Sequence, residues 1–349
     1  MTTLTETAYH TRRIIKYGSI GLVVFLMLRF IWGAGFTYWK KIHPPPPPPP
    51  TVAFGKLPAI SFPQKENLPS LTFQLETIEG MTPNLADTGK VYFIPKPSAT
   101  LLGLDRAKEM AKRIGFSLEP TKVSDRVYRF VGQNTSTTLE IDIISQKFSF
   151  LYDFEHDQSI LAEKKLPSEE QAVSEAKSFL RQADLLTADL ENGQTKVSFF
   201  RLAMPNLIPV ISLSEADFVR VDIFRANLDD LKVLPPLPSE AQVYLLFSGS
   251  RELGKRIVKV NYNHPLISQE KSATYPLKTS SVAWEELIEN KGFIANLPDD
   301  QDGKIIIRKI FLAYFEPETT QDFLQPIFVF EGDKNFLAYL PAIDRKWTD

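Results

Sequence analysis

Cysteine is absent from the 349-residue sequence. That excludes disulfides, thiolate metal sites and a cysteine nucleophile, in a chain long enough to stabilise itself by burying a core. Histidine occurs only at positions 10, 43, 156 and 264, no two within helical reach of each other. A metal or acid-base centre needs several convergent ligands, so each is read as a solvated or loop residue. Neither G-x-x-x-x-G-K-[ST] nor G-x-G-x-x-G occurs, which leaves phosphate cradling without support. Basic excess is lacking as well: 40 Lys/Arg stand against 42 Asp/Glu, for a net charge of −2. Residues 1–50 hold six of the cations and one acid, so the remainder carries −7 and is a poor nucleic-acid binder.

Against these absences stand two conspicuous runs. From Tyr17 to Trp39 the chain has 23 residues with a single charge, Arg29. At 1.5 Å per residue that crosses a hydrocarbon core of about 30 Å with some tilt. The run exceeds the usual apolar region of a signal peptide, ends in bulky Phe36, Tyr38 and Trp39, and has no small-x-small site after it. An uncleaved anchor is expected. Arg12, Arg13 and Lys16 precede it and Lys40 and Lys41 follow it, while sixteen residues lie before it and about 310 after. A single-pass topology with a cytoplasmic N-terminus and an exported C-terminal region is the simplest. Arg29 near the helix centre costs about 2.5–3.5 kcal/mol on insertion scales. It either snorkels to a headgroup or meets an acid on a partner helix, and it is the one candidate contact residue in the membrane.

The second run is Pro44–Pro50, seven prolines that predict a polyproline II stalk of about 22 Å. "TVAFGKLPAISFP" follows as an extended arm expected along a sheet edge. Beyond it three segments repeat one plan, an amphipathic helix and then strands. In the first, Ser98 is the expected cap of a helix through Leu104, Ala107, Met110, Ala111 and Ile114, stopped by Gly115. "RVYRFVG", "TTLEIDII" and "KFSFLYDF" then read as a meander with one wet face. In the second, Ser168 with Gln171 forms a capping box, and "KVSFFRLA", "LIPVIS" and "FVRVDIFR" read as strands. In the third, Thr279 or Ser280 caps a helix stopped by Gly292, before "KIIIRKIFLAYF", "QPIFVFEG" and "NFLAYLPAI". A hairpin, 241–249 with 255–263, lies between the second and third segments.

The pattern predicts an α+β fold. Its parts are a tail at 1–16, a transmembrane helix at 17–39, a stalk and arm at 40–63, and units at 64–164, 165–235 and 236–349, the last break at the proline-rich "VLPPLPSE". "YPLKTSSVAWEELIENKGFI", "IRKIFLAYFEP" and "LQPIFVFEGDKNFLAYLPAI", with weaker echoes over 98–154 and 167–226, resemble the extracytoplasmic PepSY-like domains and the YycH/YycI family of membrane-anchored regulators of a cell-wall-sensing histidine kinase. The resemblance implies a non-catalytic module that binds a protein or peptide partner at the outer membrane face. The proline stalk is not part of that family's pattern.

Candidate chemistry is thin. Aligning "LPDDQDGK" (Asp299, Asp300, Asp302) on a calcium loop puts Pro298 and Lys309 at positions that require oxygen ligands, so it reads as a solvated turn. "FSGSRELG" lacks nucleophile-elbow spacing and reads as a hairpin turn, and Asn134 in "NTS" as a hairpin tip. Glu169–Glu170 and Asp229–Asp230 are assigned to a helix start and a loop. Strand aromatics Phe148, Phe150, Tyr152, Phe328, Phe330, Phe336 and Tyr339 are read as core, with a ligand-binding aromatic face as the alternative. No catalytic, cofactor or metal residue is assigned. An envelope hydrolase or isomerase with an atypical site, and a cell-wall-binding module, stay open as alternatives.

Overall fold

A computed structural model of the chain describes residues 4–42, 49–64, 68–133, 136–252, 254–298 and 303–349. The prolines Pro44–Pro48, Asn134, and Asp299, Asp300 and Asp302 lie outside the described residues. Two compact units emerge, Met1–Pro49 and Pro50–Asp349. The first is one helix, α1 (Leu4–Ile42), continuous through the residues expected as a tail, with a stretch from Thr11 to Lys40 long and apolar enough to cross a membrane.

In chain order the second unit contains β1 (Thr72–Leu75), β2 (Thr88–Phe93), α2 (Gly103–Arg113), β3 (Thr121–Lys122), β4 (Val127–Val131), β5 (Thr137–Asp142), β6 (Phe148–Tyr152), α3 (Glu169–Gln182), α4 (Ala188–Glu191), β7 (Thr195–Ala203), β8 (Asn206–Val210) and β9 (Phe218–Ile223). Then come β10 (Val233–Leu234), β11 (Val243–Ser248), β12 (Ile257–Tyr262), β13 (Ser268–Pro276), α5 (Ser280–Ile288), β14 (Phe293–Asn296), β15 (Lys304–Phe315), β16 (Phe323–Gly332) and β17 (Leu337–Pro341). The fold is α+β, built on two large sheets.

One sheet has nine antiparallel strands in the order β3-β4-β5-β6-β12-β11-β9-β7-β8. Helices α2 and α3 pack on it through Ala107, Ala111, Ala172, Ala176 and Leu180, small enough to sit close to Phe130, Phe148, Phe150 and Phe247. The capping box of α3 is present, with Gln171 N–H donating to Ser168 Oγ at 3.3 Å and Ser168 N–H to Gln171 Oε1 at 3.2 Å. Helix α2 starts later than expected, after Leu102 and without a side-chain cap, so Ser98 is not its cap. Prolines at 95 and 97 keep that approach irregular. Gly115 takes φ +101 just past the helix, the left-handed position a terminator needs.

The other sheet runs β1-β15-β16-β17-β14, with β10 also on β15 and with β2 bridging β16 to β13. Two of its pairings, β1 with β15 and β10 with β15, are parallel, whereas helix-plus-antiparallel-strand units were the expected plan of the α+β fold. The region 64–164 therefore supplies strands to both sheets, and "VLPPLPSE" is tied to β15 by β10. Strand β16 is buried on both faces: Phe328 and Phe330 pack beside α5, and Ile327 and Val329 under the opposite cluster. A strand covered on both sides reads as a continuous apolar run. The 51–63 arm forms no strand; it places Leu57 in the first cluster and Ile60 and Phe62 in the second. Thr279 caps α5, and Asn290 at φ 58 provides the left-handed residue beyond it, so Gly292 is not the stop.

Candidate functional site

Alternation along strands sends every second residue of the nine-stranded sheet away from its helices. Register aligns Arg129, Glu140, Ser149, Asn261, Tyr244 and Asp222 in one row across that far face. Leu151, Lys259, Leu246 and Arg220 form the next. Where the 235–242 segment and Glu318 rise over these rows they enclose a concavity of about 500 Å³. Its floor is Ser149, Tyr244 and Asn261, and its wall includes Pro235, Leu237 and Glu240.

The charges in and beside it are unequal in their commitments. Arg220 lies 4.0 Å from the Tyr244 ring centroid and donates to Asp222 Oδ1 (2.8 Å) and Glu240 Oε2 (2.9 Å). Arg129 pairs with Glu140 at 2.6 Å and Arg126 with Asp142 at 2.7 Å. Each of these carboxylates is thus held by an arginine. Burial raises the Asp142 pKa, but the Ser145 and Ile144 N–H groups and Arg126 outweigh it and leave the carboxyl below its ordinary range. Lys259 sits 5.8 Å from the same tyrosine ring with no carboxylate partner among the described residues. Lys147 donates only to the Glu318 carbonyl (3.2 Å), and burial lowers its pKa. Asn263, also in the lining, has a buried Oδ1 without a donor among the described residues. The arrangement offers an aromatic platform, two cations lacking carboxylates and an open acceptor. Glu140, Asp142 and Glu240 are engaged by arginines, while burial raises the pKa of Asp222 despite its pairing with Arg220.

Behind the concavity a buried ionic cluster joins the two sheets. Arg225, just beyond β9, donates to Glu316 Oε1 from Nε (3.0 Å) and Nη2 (2.8 Å), to Asp189 on α4, and to the Pro265 carbonyl (2.7 Å). Its Nη2 also reaches His264 Nδ1 at 3.1 Å. A guanidinium only donates, so Nδ1 accepts and the imidazole presents Nε2–H to Asp189 Oδ2, 3.1 Å away. Burial pushes the Asp189 pKa up, yet its interactions with His264, then Arg225 and Thr187, more than offset that and hold it below the ordinary range.

Of the residues singled out in the sequence, Arg29 lies in α1 within the apolar stretch. Phe148, Phe150, Tyr152, Phe328, Phe330, Phe336 and Tyr339 are all buried, with Phe148 also at the edge of the concavity and Phe150 and Tyr152 at that of another hollow. His156 is exposed and meets Asp153 at 2.7 Å, as a solvated residue should. His264 lies in the β12–β13 loop, as expected, but is buried in the ionic cluster rather than solvated. "FSGSRELG" spans the β11–β12 turn, Asp229 and Asp230 form a left-handed turn at φ 49 and 63, and Glu169–Glu170 open α3. Tyr244, Arg220, Lys259 and Arg225 were not read from sequence. The available signal was "FVRVDIFR", where Arg220 and Asp222 alternate with buried Val219, Val221 and Ile223.

No protein-family model matches the sequence, and no curated protein does. Among solved structures, an uncharacterized protein from Eubacterium rectale is similar, at 13% identity and a TM-score of 0.41, over 74% of this chain and 84% of that one. The C-terminal domain of Bacillus megaterium YpeB is similar at 11% identity and a TM-score of 0.33, over 72% of this chain and 96% of that one.

Proposed function

We propose that the chain is a non-catalytic, single-pass membrane protein whose exported region binds a protein or peptide partner in an envelope signalling or assembly complex. Helix α1 is long and apolar enough to be the anchor, with its N-terminus cytoplasmic. Helix-then-strand order in α2–β6, α3–β9 and α5–β17 supports the reading of three PepSY-like units, the first two sharing the nine-stranded sheet.

The observation that carries the proposal is Tyr244 on the floor of the concavity, with Arg220 4.0 Å and Lys259 5.8 Å from its ring centroid. Glu140, Asp142, Asp222 and Glu240 are already held by arginines, whereas Lys259 and Lys147 have no carboxylate within ion-pair distance among the described residues, so the surface complements a segment that brings its own acids. A photo-crosslinking residue at position 244 of the full chain, in its native membrane, should capture a protein adduct that Lys259→Glu diminishes. A control at exposed Val123 should not. If 244 captures no protein, or the adduct is indifferent to Lys259→Glu, this site does not bind the partner.

A further inference from the structure

The registers that build the far face of the nine-stranded sheet also give the concavity two unlike ends. One step along the strands from Ser149, Asn261 and Tyr244 lies the row Thr138, Leu151, Lys259, Leu246, Arg220 and Ser198, which holds two cations and no acid. Arg220 is committed to Asp222 and Glu240, whereas Lys259 has no carboxylate within ion-pair distance among the described residues. Asp153, just past the end of β6 on the neighbouring strand, is engaged by His156 at 2.7 Å. One step the other way, beyond the pairs that Tyr262 makes with Val243 and Phe148, come Gln242, Asn263 and Lys147. At that end the Glu318 carbonyl accepts from Lys147 and Asn263, while the exposed Glu318 carboxylate is held by no cation among the described residues.

That leaves two anchor points. Pro235 and Leu237 make part of the wall apolar, and Leu237 is 41% exposed, so an apolar side chain fits against them and Tyr244. An acid fits Lys259 one row away, whereas at the opposite end it would meet Glu318. One row is two residues, about 7 Å, which is the distance between successive side chains on one face of an extended segment. A helix 10 Å across takes up about 850 Å³ in two turns, more than the concavity of about 500 Å³ holds. We propose that the partner of this site is an extended peptide segment carrying an acidic residue two positions from an apolar one, with the apolar side chain against Leu237 and the acid on Lys259. The inference rests on the reading of the concavity as the partner site and adds its selectivity. An exposed ion pair of this kind discriminates between segments by a few-fold, and the apolar contact supplies most of the affinity.

Fluorescein-labelled peptides are the probe. Two carry Glu-Thr-Phe or Phe-Thr-Glu within glycine and serine flanks, to cover both chain directions. Each has counterparts in which the acid stands one or four positions from the phenylalanine, or is replaced by lysine. Binding to the full chain in detergent micelles is read by fluorescence anisotropy. The better of the two parents should bind about two- to fivefold more tightly than its counterpart with the acid one position away. Lys259→Glu should reverse the preference in favour of the lysine peptide, and Leu237→Ser should weaken every phenylalanine peptide alike. Neither side chain belongs to a hydrophobic core, so neither substitution challenges the fold. Equal binding with the acid shifted, a preference that Lys259→Glu leaves unmoved, or tightest binding at a spacing of four, which marks a helix, overturns the proposal. If no peptide binds while position 244 still captures a protein, the motif is wrong and the site stands. If 244 captures none, the site is withdrawn and the motif with it.

Discussion

Removing the guanidinium of Arg225 tests whether the two sheets are held by the buried ionic cluster. Arg225→Met keeps most of the volume but deletes both bonds to Glu316 and those to Asp189, His264 and Pro265. The Glu316 side chain is 9% exposed, so it becomes a buried carboxylate without a cation. Breaking a buried pair in this way costs about 3–5 kcal/mol. For a unit the size of Pro50–Asp349 the entropy of unfolding is roughly 0.6 kcal/mol per kelvin, so the melting temperature should fall by about 5–8 °C. Arg225→Met combined with Glu316→Leu removes the orphaned charge and should recover more than half of that loss. The assay is thermal melting of the full chain in detergent micelles, followed by the circular dichroism of the sheets. A single variant that melts within about 1 °C of the parent, or a double variant less stable than the single, would refute the reasoning.

Asp142→Asn should cost stability near neutral pH and progressively less in acid. The Asp142 carboxyl is held below its usual range in the folded chain, so its contribution is complete above the unfolded pKa and is lost as pH falls through the folded one. Urea midpoints for parent and variant should keep a constant gap from about pH 7 to about pH 5 and draw together below about pH 4, and a gap unchanged down to about pH 2 would contradict the assignment. Arg29→Leu should leave membrane insertion intact, because it only makes the span more apolar. If the adduct formed through position 244 weakens in that variant, Arg29 meets the partner within the bilayer. An unchanged adduct removes Arg29 from the interface.

Local signals in the sequence were reliable wherever a few neighbouring residues decide the outcome. The Ser168/Gln171 box, the Thr279 cap and the left-handed Gly115 are such cases, and the apolar runs at 304–315 and 325–332 are strands where expected. Pairing was not legible, because it depends on residues far apart. Phe150 meets Val260, and Phe73 lies parallel to Ile305. Strands β1, β2, β13 and β14 escaped notice for a related reason: short or polar, they are held in place by partners distant in sequence rather than by their own periodicity. Ser98 and Gly292 show the limit from the other side. Each is a good terminator by residue type, but the chain around it places the helix end elsewhere. Charged residues on a strand were legible as a wet face, yet their union with Pro235 and Glu318 into a concavity was not.

The concavity and the ionic cluster are joined by shared backbone and amide groups, which makes the candidate site a property of the docked sheets. Gln242, at the start of β11, donates to the Glu316 carbonyl at 3.0 Å, while its own amide oxygen accepts from Asn263. Asn263 also reaches the Glu318 carbonyl at 3.0 Å, and Asn261 on the floor donates to the Gln242 carbonyl at 2.7 Å. The floor therefore lies on the nine-stranded sheet and the wall on connections that leave β10 and β15 of the other, fixed by the residues that flank the Arg225–Glu316 pair. Neither sheet presents the Tyr244 platform beneath its wall by itself, so a loss of sheet docking removes the pocket even if both sheets persist. Arg225→Met, whose lost hydrogen bonds go to Glu316, Asp189, His264 and Pro265 rather than to the floor of the concavity, should accordingly lower the yield of the adduct at 244 as the temperature approaches its melting transition, ahead of the parent. Equal yields from parent and variant at such a temperature would separate the site from the junction.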